Sequence, residues 1–243
     1  MNKEKRNIAD FQKHGFAVLD RMYSDAEIEK IARCIEEASE TQELAESSKN
    51  LFAIRQVIAK IPELQPLIFT VKLHELLTSI FEEPFFLTKA IYFDKPSASN
   101  WFVAYHQDLS ISVDRKQEVS SYINWTFKKG QYGVQPPIDI LENIVTIRVH
   151  LDKTEKENGA LKIIPNSHLK EIYRPETIDW DIETEHICEV EKGGVMLMKP
   201  LTLHASDRTT NGKKRRVLHL EFSSKKLTEP LQWLEFQKFS FPK

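Results

Sequence analysis

The chain has 243 residues, 41% of them hydrophobic and 29% charged, enough to bury one sizeable core. Its formal net charge is -2 with lysines and arginines spread along its length, so neither nucleic acid nor another polyanion is an expected partner. The two cysteines, Cys34 and Cys188, make no disulfide framework and no CxxC-type ligand spacing; the charged N-terminus has no apolar segment behind it, and no window approaches ~18 uninterrupted apolar residues. A single cytoplasmic domain, with no signal peptide and no membrane span, is expected.

After a short polar lead, Phe11 to Leu19 reads as a small strand or turn. Ser24-Asp25-Ala26-Glu27 has the form of a capping box, and Ile28, Ile31, Ala32, Ile35 and Ala38 follow at helical spacing. Residues 41 to 50 are polar and read as a loop or a frayed helix end. Helical spacing resumes at Leu51 to Ile61, is broken by Pro62 and Pro66, and returns through Leu73, Leu76, Leu77, Ile80 and Phe81. Arg55, on the first of these helices, is a long cation that could reach into a site, although a surface position suits it too. His14, His168, His186 and Cys34 read as structural or surface residues.

From Pro84 the texture changes, and Phe85 to Phe93 and Trp101 to Tyr105 read as strands. The chain thus divides into a helical part, about 1–83, a β core, about 84–224, and a C-terminal extension, 225–243. Ser110 to Ile140 is expected to be a long loop, either a binding lid or a surface insertion. Ile144 to Leu151 alternates, with Thr146, Arg148 and His150 on the polar face; Arg216 to Ser223 does the same, with the preceding Arg215 sharing the face of Val217, His219 and Glu221 and Arg216 on the other. Arg148, His150 and Lys199 are expected to face a cavity and to suit an anionic or polar substrate. Leu231 to Phe241 is aromatic and is expected to wrap back onto the core.

The chemistry concentrates at His106-Gln107-Asp108. Residues two apart on an extended strand share a face, so an imidazole and a carboxylate can stand side by side. The apolar run Val195 to Leu203 would bury His204, which makes it the candidate third ligand. Two histidines and one carboxylate are the ligand set of non-haem Fe(II) oxygenases, which leaves coordination positions open. Ser206, two beyond His204, could add a hydroxyl nearby.

Tyr105-His106-Gln107-Asp108, Glu157-Asn158-Gly159-Ala160-Leu161, Ile164-Pro165-Asn166-Ser167-His168 and Leu203-His204-Ala205-Ser206, followed by Arg215, resemble in content and order the phytanoyl-CoA dioxygenase family. The resemblance runs from the Phe11 region to about Ser224. It implies a mainly β fold with flanking helices: a double-stranded β-helix, jelly-roll or cupin-like, packed against the N-terminal helices. It also implies Fe(II), 2-oxoglutarate and O2 in the mouth of that fold, and a small-molecule substrate hydroxylated with release of succinate and CO2.

His106, Asp108 and His204 correspond to the iron ligands of the catalytic centre, and Arg215 to the residue gripping the far carboxylate of 2-oxoglutarate. A guanidinium does this with paired hydrogen bonds that Lys213 or Lys214 cannot copy. Gln107 corresponds to a co-substrate contact, and Arg55 does so more loosely. Arg148 stands where some relatives place a tryptophan, so it is either a second carboxylate contact or part of the substrate pocket. Asn166 replaces a common glycine, compatible with the same turn because Asn tolerates positive φ. The alternatives are a non-catalytic ligand-binding β-helix and a zinc hydrolase on the same ligands; an arginine clamp for a dicarboxylate argues against the hydrolase.

Overall fold

The structure, a computed structural model, describes residues 3–40, 53–95 and 102–238. Helix α1 (Lys3–His14) stands where a polar lead is expected. Its apolar stripe is only Ile8 and Phe11, three apart, too sparse to register as periodicity, yet Phe11 is fully buried. β1 (Phe16–Leu19) follows. α2 (Asp25–Ser39) starts at the expected capping box: Ser24 Oγ accepts from Glu27 N at 3.3 Å and the Glu27 carboxylate accepts from Ser24 N at 2.7 Å.

The helix expected from Leu51 is instead β2 (Ala53–Arg55) followed by the short α3 (Val57–Lys60), with Gln56 at φ 54° turning the chain between them. Val57, Ile58 and Ile61 keep their helical spacing, but the preceding residues gain more by pairing with a sheet edge. Leu51, the polar stretch 41–50 and Trp101 lie outside the described residues. α4 (Leu64–Ile68) accepts Pro66 because it falls in the first turn, where a backbone N–H has no helical partner anyway. Thr70 then caps α5 (Val71–Ile80).

Thirteen strands complete the described fold: after β3 (Phe86–Lys95) and β4 (Val103–His106) come β5 (Ile111–Val113), β6 (Ile123–Lys128) and β7 (Gln131–Gln135). α6 (Ile138–Asn143) leads to β8 (Val145–His150), β9 (Leu161–Ile163), β10 (His186–Cys188), β11 (Val195–Met198), β12 (His204–Ser206) and β13 (Arg215–Ser223). They form a six-stranded sheet, β1-β11-β8-β13-β3-β2, a four-stranded sheet, β10-β9-β12-β4, and a three-stranded sheet, β5-β7-β6, antiparallel throughout.

The expected alternation holds. Val145, Ile147, Val149, Leu218, Leu220 and Phe222 face outward and are covered by the helices in one core. Their strand neighbours face the four-stranded sheet, where Met196 and Met198 meet Leu161 and Ile163 in a second cluster. The result is a double-stranded β-helix, mainly β, with its helices packed on the outside of the larger sheet.

Ser110 to Ile140 is neither a loop nor a surface insertion. It builds the three-stranded sheet, whose Ile111, Val113, Tyr122 and Val134 form a third cluster with Leu231 and Trp233. The strands escape a reading based on composition because β6 is exposed at every position except Trp125, so no buried face alternates, and its bulge between Ile123 and Thr126 breaks the period. The C-terminal segment does fold back, through bridges of Val113 to Trp233 and of Leu87 to Gln237.

Candidate metal centre

His106 ends β4 and His204 begins β12, and the two are partners across the ladder of the four-stranded sheet, with ring centroids 4.3 Å apart. Asp108 lies just past the strand, tied down by its N–H to the Pro200 carbonyl at 2.9 Å. Its Oδ1 is 3.8 Å from His106 Nε2 and its Oδ2 is 3.8 Å from His204 Nε2. One ligand atom from each of the three side chains lies within 4.8 Å of the others.

Each imidazole is oriented the same way: Nδ1 of His106 donates to the Ala104 carbonyl and Nδ1 of His204 to the Thr202 carbonyl, both at 2.9 Å. This assigns the Nδ1–H tautomer to both rings and leaves both Nε2 lone pairs aimed at Asp108. Burial pushes the His204 pKa down to about 4, outweighing the pull of Asp108, so the ring is neutral at ordinary pH. Burial alone would raise Asp108, but His204, His219, Lys89 and His106 around it hold the carboxyl down at about 2. Two imidazoles and one carboxylate, facing one point, fit a divalent transition metal.

The two turn motifs on either side of β9 brace the site. Asn166 takes φ 66°, as its tolerance of that region predicts, and Ser167 Oγ accepts from Leu203 N at 2.8 Å while donating to Ile164 O at 2.6 Å, which pins the strand entry just before His204. Asn158 Oδ1 accepts from Glu155 N and its Nδ2 donates to Lys153 O, forming the turn that presents Gly159. Gly159 has φ +86°, and a Cβ there would meet the Asp207 carbonyl oxygen at 2.8 Å. The Gly159 carbonyl in turn accepts a short hydrogen bond from Arg215 Nη1.

Arg215 and Arg148 both line a cavity of about 410 Å³ together with His106, Asp108, His204 and Ser206. Both are buried, and neither has a carboxylate partner among the described residues. Burial first, and then Arg148, lower Arg215 to about 9; burial lowers Arg148 to about 10 despite the opposing pull of Asp108. Arg148 Nε is buried without a hydrogen-bond partner, and Nη1 donates to His219 Nδ1 at 3.1 Å. Two buried cations beside a metal-binding face fit a small dianion.

A second cavity of about 490 Å³ meets the first at Phe93, Asp108 and His219. It lies between the six-stranded and three-stranded sheets, and Arg55, Lys89 and Glu221 line it. Glu221 accepts from Lys89 Nζ at 2.8 Å and from His219 Nε2 at 3.0 Å, so one polar chain runs Arg148, His219, Glu221, Lys89 from cavity to cavity.

Of the residues singled out in the sequence, His106, Asp108, His204, Ser206, Arg148 and Arg215 come together in the first cavity. Arg55 does not join them; it stands on a strand, not a helix, and lines the second cavity. Gln107 lines neither: its amide donates to the Glu171 and Leu201 carbonyls and accepts from Tyr173 N, so it fastens neighbouring loops from the opposite face of the strand. His150 is buried, with Nδ1 paired to Thr154 Oγ1, and lines neither cavity. Lys199 lies elsewhere, over the Phe11 ring with Nζ on the Glu142 carbonyl. Lys89 and His219 escaped notice as site residues, although a period of two from Phe93 back through Ile91 places Lys89 on the cavity face.

A double-stranded β-helix bearing a His-x-Asp and a distal His at one end is the build of the 2-oxoglutarate-dependent non-haem oxygenases. The sequence profile described as Phytanoyl-CoA dioxygenase (PhyH) matches residues 11–217, and the chain belongs to that family. A phytanoyl-CoA dioxygenase domain-containing protein 1 homolog from Caenorhabditis briggsae is 21% identical, over 96% of this chain and 96% of its own length. EctD from S. alaskensis, solved with 2-oxoglutarate and 5-hydroxyectoine, superposes with a TM-score of 0.71 at 15% identity over 95% of this chain and 79% of that one. The non-haem α-ketoglutarate-dependent carbocyclase SnoK from nogalamycin biosynthesis gives 0.67 at 14% identity, over 94% and 86%.

Proposed function

We propose that this chain is an Fe(II)- and 2-oxoglutarate-dependent dioxygenase that hydroxylates a small molecule with release of succinate and CO2. The observation that carries the reading is the convergence of His106, Asp108 and His204 beside two buried, carboxylate-free guanidiniums in one cavity. Fe(II), once bound, supplies the activation of O2 that no side chain can, driven by oxidative decarboxylation of 2-oxoglutarate. His106, Asp108 and His204 would hold the metal, and the Ala104 and Thr202 carbonyls fix both rings before it arrives. Arg215 would bind the far carboxylate of 2-oxoglutarate, with its guanidinium steadied by Gly159, and Arg148 adds the second positive charge. Burial of His204, Arg148 and Arg215 keeps water from competing for the same donors, while the half-exposed His106 and Asp108 leave the metal face open to the cavity. On this reading helices, β-helix and C-terminal segment act as one domain.

The test is anaerobic addition of 2-oxoglutarate to Fe(II)-loaded protein. A visible charge-transfer band is expected with wild type and none with His204→Ala, and succinate should form only when O2 is admitted. A wild-type protein that binds both without a band, or makes no succinate, overturns the reading.

A further inference from the structure

The second cavity has a composition that selects its occupant. It is bounded on one side by an inward-facing row of the six-stranded sheet, where Arg55 pairs in register with Ile91 and Ile91 with His219. On the other side stand polar side chains of the three-stranded sheet, among them Thr126, Gln131, Gln135 and Ser112. Ile91, Phe93, Leu109 and the ring of Tyr132 are the apolar surfaces in its lining, interrupted by charged and hydrogen-bonding side chains so that they form no continuous sheath for an extended acyl chain.

Its charges do not cancel. The Glu221 carboxylate is committed to Lys89 and His219, and Asp108 faces the two histidines of the metal centre. Arg55, by contrast, has neither an ion pair nor a hydrogen-bond acceptor among the described residues, and Lys128 adds another cation at the exposed rim. A guanidinium held on a strand in a cleft of mixed polar and apolar lining offers paired donors for a compact anion.

We infer that the cleft lined by Arg55 takes the primary substrate, a small polar compound carrying a carboxylate or similarly compact anion, and that Arg55 determines this specificity. The inference rests on the proposed oxygenase reading for the identity of the neighbouring cavity. The substrate enters from the three-stranded sheet side and meets the metal centre at Asp108, where the two cavities join. The Lys89–Glu221 pair beside it is self-neutralised and offers hydrogen bonds without net charge. Arg55 sits about 10 Å, two strand spacings, from His219, so the anion is anchored away from the carbon that reacts.

The experiment screens small carboxylates against their matched primary amides, plus one long-chain acyl-CoA, by ligand-observed NMR. The protein is kept anaerobic with Fe(II) and saturating 2-oxoglutarate, so that the first cavity is filled and its band reports that the metal site is intact. Carboxylates should bind and their amides should not. Arg55→Gln should weaken those carboxylates at least tenfold while the band persists, and Arg55→Lys should recover part of the affinity. No carboxylate hits, equal binding of acids and amides, carboxylate binding unmoved by Arg55→Gln, or preferential binding of the acyl-CoA would each overturn the assignment. Loss of the band in wild type would instead strike the oxygenase reading, so the two failures are told apart.

Discussion

Arg215 is held in the first cavity by one backbone oxygen, that of Gly159, and under the proposed function this makes a glycine outside the ligand set part of the binding geometry. A side chain at 159 would be strained at φ +86° and would crowd the Asp207 carbonyl and Lys95 Nζ. Gly159→Ala should therefore weaken 2-oxoglutarate binding by about tenfold, since a displaced charge-assisted hydrogen bond is worth roughly 1.5–3 kcal/mol. Fe(II) affinity should stay near wild type, because no metal-facing residue touches that turn. Titration of the charge-transfer band with 2-oxoglutarate reads the first effect and metal titration the second; equal loss of both would mean that the turn supports the whole site. Arg215→Lys should cost at least as much, because an ammonium cannot reproduce a planar pair of hydrogen bonds. These residues were legible in the sequence because each sits in a short, ordered spelling with one physical reading: a strand pair, a left-handed turn, an alternating strand. Arg55 was singled out but expected on a helix and beside the co-substrate, and Lys89 and His219 were not marked as site residues, because the cavity each of them lines depends on which strands become neighbours.

The C-terminal segment behaves as an element of the core. Trp233 is buried against Ile111, Val113 and Tyr122, with Nε1 donating to the Lys225 carbonyl at 3.0 Å. Trp233→Ala should destabilise the protein by about 3–5 kcal/mol, the usual range for deleting a buried tryptophan, read from urea unfolding. A loss under ~1 kcal/mol would show that this cluster packs loosely. Glu235 gives the same segment a pH signature. Burial raises its carboxyl to about 7, against the Ala90 N–H that it accepts at 3.1 Å and the pull of Lys89. The folded protein thus holds this proton more tightly than the unfolded chain. Its contribution to stability is fully present below the unfolded value near 4.5 and is lost as pH rises through about 7. Melting temperature should fall between pH 5 and 8 by more in wild type than in Glu235→Gln; parallel curves would remove Glu235 from the account. The aromatic spelling of Leu231 to Phe241 was enough to expect a segment folded onto the core. It could not reveal the partner sheet, because Ser110 to Ile140 hides three strands behind a bulge and an almost wholly exposed β6.

Across the whole molecule, the metal ligands and the arginines belong to different sheets. His106 and His204 sit on the four-stranded sheet, Arg148 and Arg215 on the six-stranded one. On the proposed reading, a co-substrate gripped at one end by the metal centre and at the other by a guanidinium would bridge the two faces of the β-helix. Without it, two guanidiniums stay buried without a counter-charge, which is unfavourable. Each ligand alone would relieve only part of this, since on the proposed reading Fe(II) would meet Asp108 and the imidazoles, and 2-oxoglutarate the arginines. Bound together they should stabilise the fold by more than the sum of the separate effects. At free concentrations 100-fold above Kd, a ligand that binds only the folded state contributes about 2.7 kcal/mol. Anaerobic thermal melts with Fe(II), with 2-oxoglutarate and with both should show a supra-additive shift in Tm. In Arg215→Lys the shift with both should collapse towards that of Fe(II) alone. Additive shifts in the wild type would mean that the two ligands occupy the molecule independently, without spanning the sheets.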